Sequence, residues 1–256
     1  MVTIEEIKKV GQWGAREHML DEARTFPYAG HVLRRISPYF TKFFIEHNVR
    51  ANHVSSCSII LGIVGNLMFV FGNYYLMFIG CILYQFWNIF DLVDGEIARV
   101  TNTKTLGGKY LETISMAITE CGFIACLGVG LSKILDDVSF IFWGLIFALF
   151  ICLLNYFART RDAIIQELKK EIYIKKDSLV RSLYKKARLL FVIFNGYIVL
   201  TIIVLFELLF PTKSCYDVLG QTLNLLSTYF FLYGIIWVVR TVVSSITNYK
   251  YIMKSQ

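Results

Sequence analysis

Proline is nearly missing from this chain, with three residues in 256. Helices can therefore run long without breaks. No stretch of about ten residues alternates apolar with polar side chains, which favours helices over a membrane barrel. The six cysteines form no Cys-x-x-Cys pair and no Cys/His ligand spacing, so neither zinc nor a disulfide framework is implied. Five of them (Cys57, Cys81, Cys121, Cys126 and Cys152) sit inside apolar runs as small packing residues, and Cys215 stands alone outside. An internal repeat is absent as well. The first 50 residues are too polar for a signal peptide, which leaves the first long apolar run as the expected membrane address.

Apolar sequence is what the chain has in excess. Hydrophobic residues make up 56% and aromatic residues 16%, and the mean hydropathy is +0.55. A soluble protein of this length would be more polar. Runs long enough to cross a bilayer fall at about 54–71, 75–98, 109–131, 138–158, 189–210 and 218–239. The expected fold is all-α integral membrane, with six transmembrane helices after an amino-terminal interfacial amphipathic helix. Residues 1–53 form the arm and interfacial helix, and residues 54–256 the membrane domain.

Lysine and arginine set the expected orientation. Of the 26, eight lie in the amino-terminal arm, three in the 99–109 turn, ten in the 159–188 loop and three at the carboxyl end. Only Lys133 and Lys213 fall in the opposite loops, so the positive-inside rule places both termini in the cytoplasm. The net charge of +7 then reads as attraction to anionic headgroups and not to nucleic acid.

Residues 1–26 read as a soluble helix or arm, broken at Pro27 and Gly30. From His31 to Ile45, Val32, Leu33, Ile36, Phe40, Phe43 and Phe44 alternate with Arg34, Arg35 and Lys42, the pattern of a helix lying in the membrane interface. Asn52 is expected to cap the first span, with Ser55 in its first turn. Gly62 and Gly65 allow close helix packing. The 161–188 loop, where Leu168, Ile172 and Leu179 stand among basic residues, is expected to form a second interfacial helix or pair. The last two spans carry no motif.

Chemistry concentrates between Trp87 and Glu120. Asp91 and Asp94 are three residues apart, and Gly95 and Ala98 follow on the same helical face. After Arg99, eight residues (100–107) lead to Gly108, and four beyond it Glu112 opens the next apolar run. Carboxylates at membrane depth are costly and mark functional sites. Acids on two helices beside small residues suggest a metal site with room for a phosphate ligand. Asn88, three residues before Asp91, is a candidate to orient a carboxylate, and Ser115, three after Glu112, to hold a metal-bound water. Arg159 is a candidate phosphate contact at the end of the fourth span. Glu120 lies two turns from Glu112, about 12 Å along the axis, too far to share its ligand position.

The segment resembles the signature of the CDP-alcohol phosphotransferases: Asp, two residues, Asp-Gly, two residues, Ala-Arg, eight residues, Gly, three residues, Asp, three residues, Asp. Asp91, Asp94, Gly95, Ala98, Arg99 and Gly108 match. Glu112 replaces the third Asp and Met116 the fourth. Asn52 and Ser55 are similar to the family's Pro-Asn-x-x-Thr start of the first span, with Ala51 in place of proline.

The resemblance implies a membrane enzyme that transfers a phospho-alcohol group from a CDP-alcohol to an acceptor hydroxyl, releasing CMP, in phospholipid or related phosphodiester synthesis. It implies Mg²⁺ or Mn²⁺ held by Asp91, Asp94 and Glu112, and a CDP site lined by Gly95, Ala98, Arg99 and Gly108. It also implies membrane-lipid partners and a homodimer, for which span six, rich in Phe and Tyr, offers surface. The membrane would be the cytoplasmic (inner) membrane of a prokaryote or the endoplasmic reticulum of a eukaryote. Met116 leaves the catalytic base unassigned, because the family's fourth Asp is both ligand and general base. A non-catalytic relative that binds nucleotide or lipid, or scaffolds a partner, therefore stays open beside the enzyme. A transporter or membrane prenyltransferase is a third reading, and the later spans lack the second Asp-rich motif a prenyltransferase needs.

Overall fold

The computed structural model describes residues 2–12, 28–167, 197–210, 216–218 and 221–253. The chain opens with α1 (Ile4–Glu6), which widens into a π-wound turn (Ile7–Gln12), and a second such turn (Ala29–Leu33) leads into α2 (Arg34–Glu46). Then follow α3 (Ala51–Val70), α4 (Tyr74–Val100), α5 (Leu106–Leu135), α6 (Ser139–Glu167) and α7 (Tyr197–Leu209). A hairpin of β1 (Tyr216–Val218) and β2 (Gln221–Leu223), with Tyr216 opposite Leu223, precedes α8 (Leu225–Met253). Among the described residues, five helices are long and apolar enough to cross a membrane: those within α3, α4, α5, α6 and α8. The protein is a multi-pass integral membrane protein.

Local chemistry sets the helix ends. The Asn73 side chain accepts from the backbone of Tyr75 and Leu76 and starts α4. The Thr105 hydroxyl accepts from Gly108 N at 3.0 Å and starts α5. Asp136, at φ 53°, ends α5 in the left-handed region. Between α3 and α4 the chain reverses at Gly72, where φ is +66° and an added Cβ would stand 2.9 Å from the Gly130 carbonyl oxygen. Only glycine meets both conditions.

Helix α3 packs on α4 and α5, α5 on α6, and α6 on α8. Gly62 and Gly65 serve these contacts as expected: a Cβ on Gly62 would collide with the Thr119 hydroxyl, and one on Gly65 would meet the Gly80 carbonyl at 3.6 Å. The central core is aromatic. Tyr84 stacks on Tyr197 at 4.5 Å, and Phe123 meets Phe69, Tyr84, Tyr197 and Tyr233 edge to face. A smaller cluster at the other end of α4 joins Leu33, Ala51, Val54, Ile89, Val93 and Ile97 under α2.

Four expectations need correction. The last span starts at Leu225, because residues 216–218 and 221–223 pair as two short strands. Its aromatic residues offer little outer surface: Tyr229, Phe230, Tyr233 and Trp237 are buried in the core. The outward stripe is aliphatic, formed by Leu232, Ile235, Val239, Val242 and Ile246. The amino-terminal arm is docked on α4, with Ile7 and Gln12 buried. Finally, α6 continues past residue 158 to Glu167. The expected interfacial helix beyond it falls mainly on residues outside the described ones, as does the start of the fifth span, 189–196.

Candidate active site

A cavity of about 310 Å³ opens at the ends of three helices. Helix α3 lines it with Ala51, Asn52 and Ser55, and α4 with Asp94, Gly95, Ala98 and Arg99. The α4–α5 turn adds Thr103, Lys104 and Thr105, and α5 adds Gly108, Lys109 and Glu112. Six of the eight signature positions thus face one space, although Gly108 and Glu112 stand on a different helix from the other four.

Asp94 is buried, and its Oδ2 accepts from the Ser55 hydroxyl at 2.5 Å. That bond fixes the carboxylate plane on the cavity wall. Asn52 and Ser55 are three residues apart, so both reach the same face of α3. Asn52 is therefore no cap: α3 starts at Ala51 after Arg50, without a side-chain capping bond. Its Oδ1 lies 3.1 Å from where a Cβ on Gly108 would stand. The spacing Asn52-x-x-Ser55 is the signal in the sequence for their shared place on the cavity wall.

Small residues let the walls close up. A Cβ on Gly95 would stand 3.0 Å from Arg99 Nη1, so the guanidinium folds over Gly95 against the cavity. Arg99 Nε donates to the Gly11 carbonyl at 2.5 Å. Two acids, Asp94 and Glu112, thus share a space with three cations, Arg99, Lys104 and Lys109. Such a mixture suits a metal-bound diphosphate: oxygens for the cation, positive charge for the phosphates.

The remaining candidates stand elsewhere. Asp91 and Asn88 are half-buried on α4 and are not on the cavity wall. Ser115 is buried, and its Oγ accepts from Trp87 Nε1 at 2.9 Å and bonds Ser58 Oγ at 3.2 Å. Its hydroxyl ties α3, α4 and α5 together and does not reach into the cavity. Met116 is half-buried on α5. The side chain of Arg159 lies outside the described residues. Gln85 bridges helices: its Oε1 accepts from Tyr28 at 2.8 Å and its Nε2 donates to Thr201 at 3.1 Å.

Among the described residues, no three acidic, histidine or cysteine side chains stand close enough to hold a metal by themselves. The donor set still fits Mg²⁺ or Mn²⁺. These ions take hard oxygen ligands, and Mg²⁺ is commonly bound by one or two carboxylates with substrate phosphates and water completing the shell.

A model of the CDP-alcohol phosphatidyltransferase family matches residues 48–229, from just before α3 into α8. No curated protein matches the chain.

Proposed function

The chain belongs to the CDP-alcohol phosphatidyltransferase family, and on that premise we propose that it moves a phospho-alcohol group from a CDP-alcohol to an acceptor hydroxyl. The acceptor oxygen bonds to the phosphorus next to the donor alcohol, the bond from that phosphorus to the CMP oxygen breaks, and CMP leaves with the electron pair. One observation carries this reading: Asp94, Gly95, Ala98, Arg99, Gly108 and Glu112 converge on one cavity.

Asp94 and Glu112 are the residues that would hold Mg²⁺ or Mn²⁺ at the cavity, with Asp91, which the family pattern adds, one turn back on α4 and off the cavity wall, in keeping with a family that is generally dependent on divalent metals. Bound there, the ion would neutralise charge developing on the phosphates. Ser55 holds Asp94 in orientation. Arg99 offers its guanidinium to the diphosphate, while Gly95 and Gly108 keep the walls free of side chains that would intrude. Met116 accepts no proton, so the acceptor's proton passes to water or to a substrate oxygen. Positioning and electrostatics supply most of the catalysis in phosphoryl transfer, which lets such a site work.

The setting agrees with lipid chemistry. On α2 and the π-wound turn that leads into it, the exposed residues Val32, Ile36, Tyr39 and Phe43 recur at helical spacing beside Arg35 and Lys42. That apolar stripe suits a helix lying at the headgroup level. Six spans with both termini cytoplasmic put the cavity where a soluble nucleotide can enter. The aliphatic outer stripe of α8 suits contact with lipid or with a second copy in a homodimer. The pathway is phospholipid or related phosphodiester synthesis, in the inner membrane or the endoplasmic reticulum according to the source.

The test is CMP release by the purified chain from a panel of CDP-alcohols with Mg²⁺ or Mn²⁺. Release that stops on chelation and returns with metal is expected. Met116 favours one second reading, a relative that binds CDP without turnover. It would be identified by metal-dependent CDP binding without CMP release, and by gain of release in Met116→Asp. No release and no CDP binding in either chain would sink both readings.

A further inference from the structure

The arm ahead of the family-matched segment reaches the cavity through a buried carboxylate. Glu96 on α4 has no exposed surface. Its Oε1 accepts from Gln12 Nε2 at 2.8 Å and from Ser37 Oγ at 2.6 Å, and its Oε2 accepts from Thr41 Oγ1 at 2.6 Å. Gln12 Nε2 also donates to the Arg34 carbonyl at 2.8 Å, so one amide joins the arm, α2 and α4. The next residue back, Gly11, supplies the carbonyl that accepts from Arg99 Nε. Residues 2–12 and α2 lie outside the segment 48–229 that matches the family.

The geometry assigns this arm a positioning role: we propose that Gln12, fastened to Glu96, sets the Gly11 carbonyl so that it fixes Arg99 against the nucleotide cavity. The inference rests on the reading of that cavity as a CDP site. A guanidinium is planar, so a bond at Nε fixes the directions of both Nη groups. Those groups lie over Gly95, at 3.0 and 3.2 Å from where its Cβ would be, on the cavity wall. With the arm undocked, the Nε bond is lost and the guanidinium is held less firmly over Gly95, and ordering it again would weaken nucleotide binding. Among the described residues, the hydrogen bonds to Glu96 come from the neutral side chains of Gln12, Ser37 and Thr41, which makes the anchor specific to this set of side chains. A purely structural arm would change how much protein folds and would leave the affinity of the folded fraction unaltered.

The test compares the full chain with Gln12→Ala and with a chain lacking residues 1–12, all purified in lipid nanodiscs. CMP is the binding probe, and mass spectrometry follows modification of Arg99 by phenylglyoxal. The expected result is CMP affinity weakened about tenfold, which is about 1.4 kcal/mol, with faster modification of Arg99. KM for the CDP-alcohol should rise in parallel while kcat stays nearly constant. Unchanged CMP affinity and unchanged Arg99 modification in Gln12→Ala would overturn the arm's role while leaving the CDP site standing. So would a loss confined to the yield of folded protein. A native chain that binds no CMP would overturn both. One that binds CMP without turnover would remove the enzymatic reading alone, and the CMP affinities of the variants would still decide for or against the arm.

Discussion

The two helices that carry the signature are built to different standards. On α4, Asp94, Glu96 and Arg99 are each hydrogen-bonded to another element: Ser55 of α3, Gln12 with the α2 hydroxyls, and the Gly11 carbonyl. On α5, Glu112 is exposed, and among the described residues a Cβ on Gly108 would meet the side chains of Asn52 and Thr105. Five of the six matching residues (Asp91, Asp94, Gly95, Ala98 and Arg99) lie on α4, and both departures, Glu112 and Met116, lie on α5. An added methylene finds room on the exposed Glu112 side chain. On α4 the same change would push a carboxylate into Ser55.

Breaking the fixed wall should cost most. Asp94→Asn keeps an oxygen that can accept from Ser55 but removes the charge. CMP release should fall by about 10²–10³-fold, the scale of losing one preorganised electrostatic group. Folding, followed by thermal unfolding, should change little. Equal CMP release by Asp94→Asn and the native chain would remove Asp94 from the reaction.

Next comes the bond that orients it. Ser55→Ala leaves Asp94 charged but free to rotate, and such orienting partners are typically worth 10–100-fold in metal affinity or activity. Titrating Mn²⁺ against CMP release separates the two, and a raised metal requirement is expected. An unchanged requirement would mean that Asp94 is held by something else.

How far this division could be read in advance differs from wall to wall. Asp94, Gly95, Ala98, Arg99 and Gly108 follow from local spacing, because one helical face and one short turn decide their placement. The five long helices were equally legible from their apolar runs. Glu96 was not, since nothing within its own helix distinguishes a solvated carboxylate from one bound by Gln12, 84 residues away in sequence. Ser55 and Ser115 exchanged expected roles for the same reason. Each is a polar residue near the motif, and only the neighbouring helix decides whether it turns to the cavity or to the packing. The paired strands at 216–218 and 221–223 take the start of a run whose hydropathy alone would suit a span.

The open wall should be more forgiving. Glu112→Asp restores the family's residue, and release should stay within about tenfold of native, since an exposed carboxylate can adjust with little strain. Glu112→Gln keeps the length and loses the charge, so it should fall further, toward the Asp94→Asn value. Equal losses in Glu112→Asp and Glu112→Gln would show that α5 is as rigidly specified as α4.

The smallest effect separates site from scaffold within the same turn of α5. Ser115→Ala removes the acceptor of the buried Trp87 Nε1–H and the partner of Ser58. A hydrogen bond between membrane helices averages only about 0.6 kcal/mol and reaches about 1.7. A stranded buried donor lies at the upper end of that range or slightly beyond. The variant should therefore lose about 1–2 kcal/mol of stability, read as a lower unfolding temperature, with its metal requirement and KM unchanged. Ser115→Cys keeps a weak acceptor of similar size and should recover part of that loss. A raised metal requirement at unchanged stability would reverse the assignment. It would mean that the hydroxyl leaves Trp87 when substrate binds and serves the metal, as the spacing to Glu112 alone suggests.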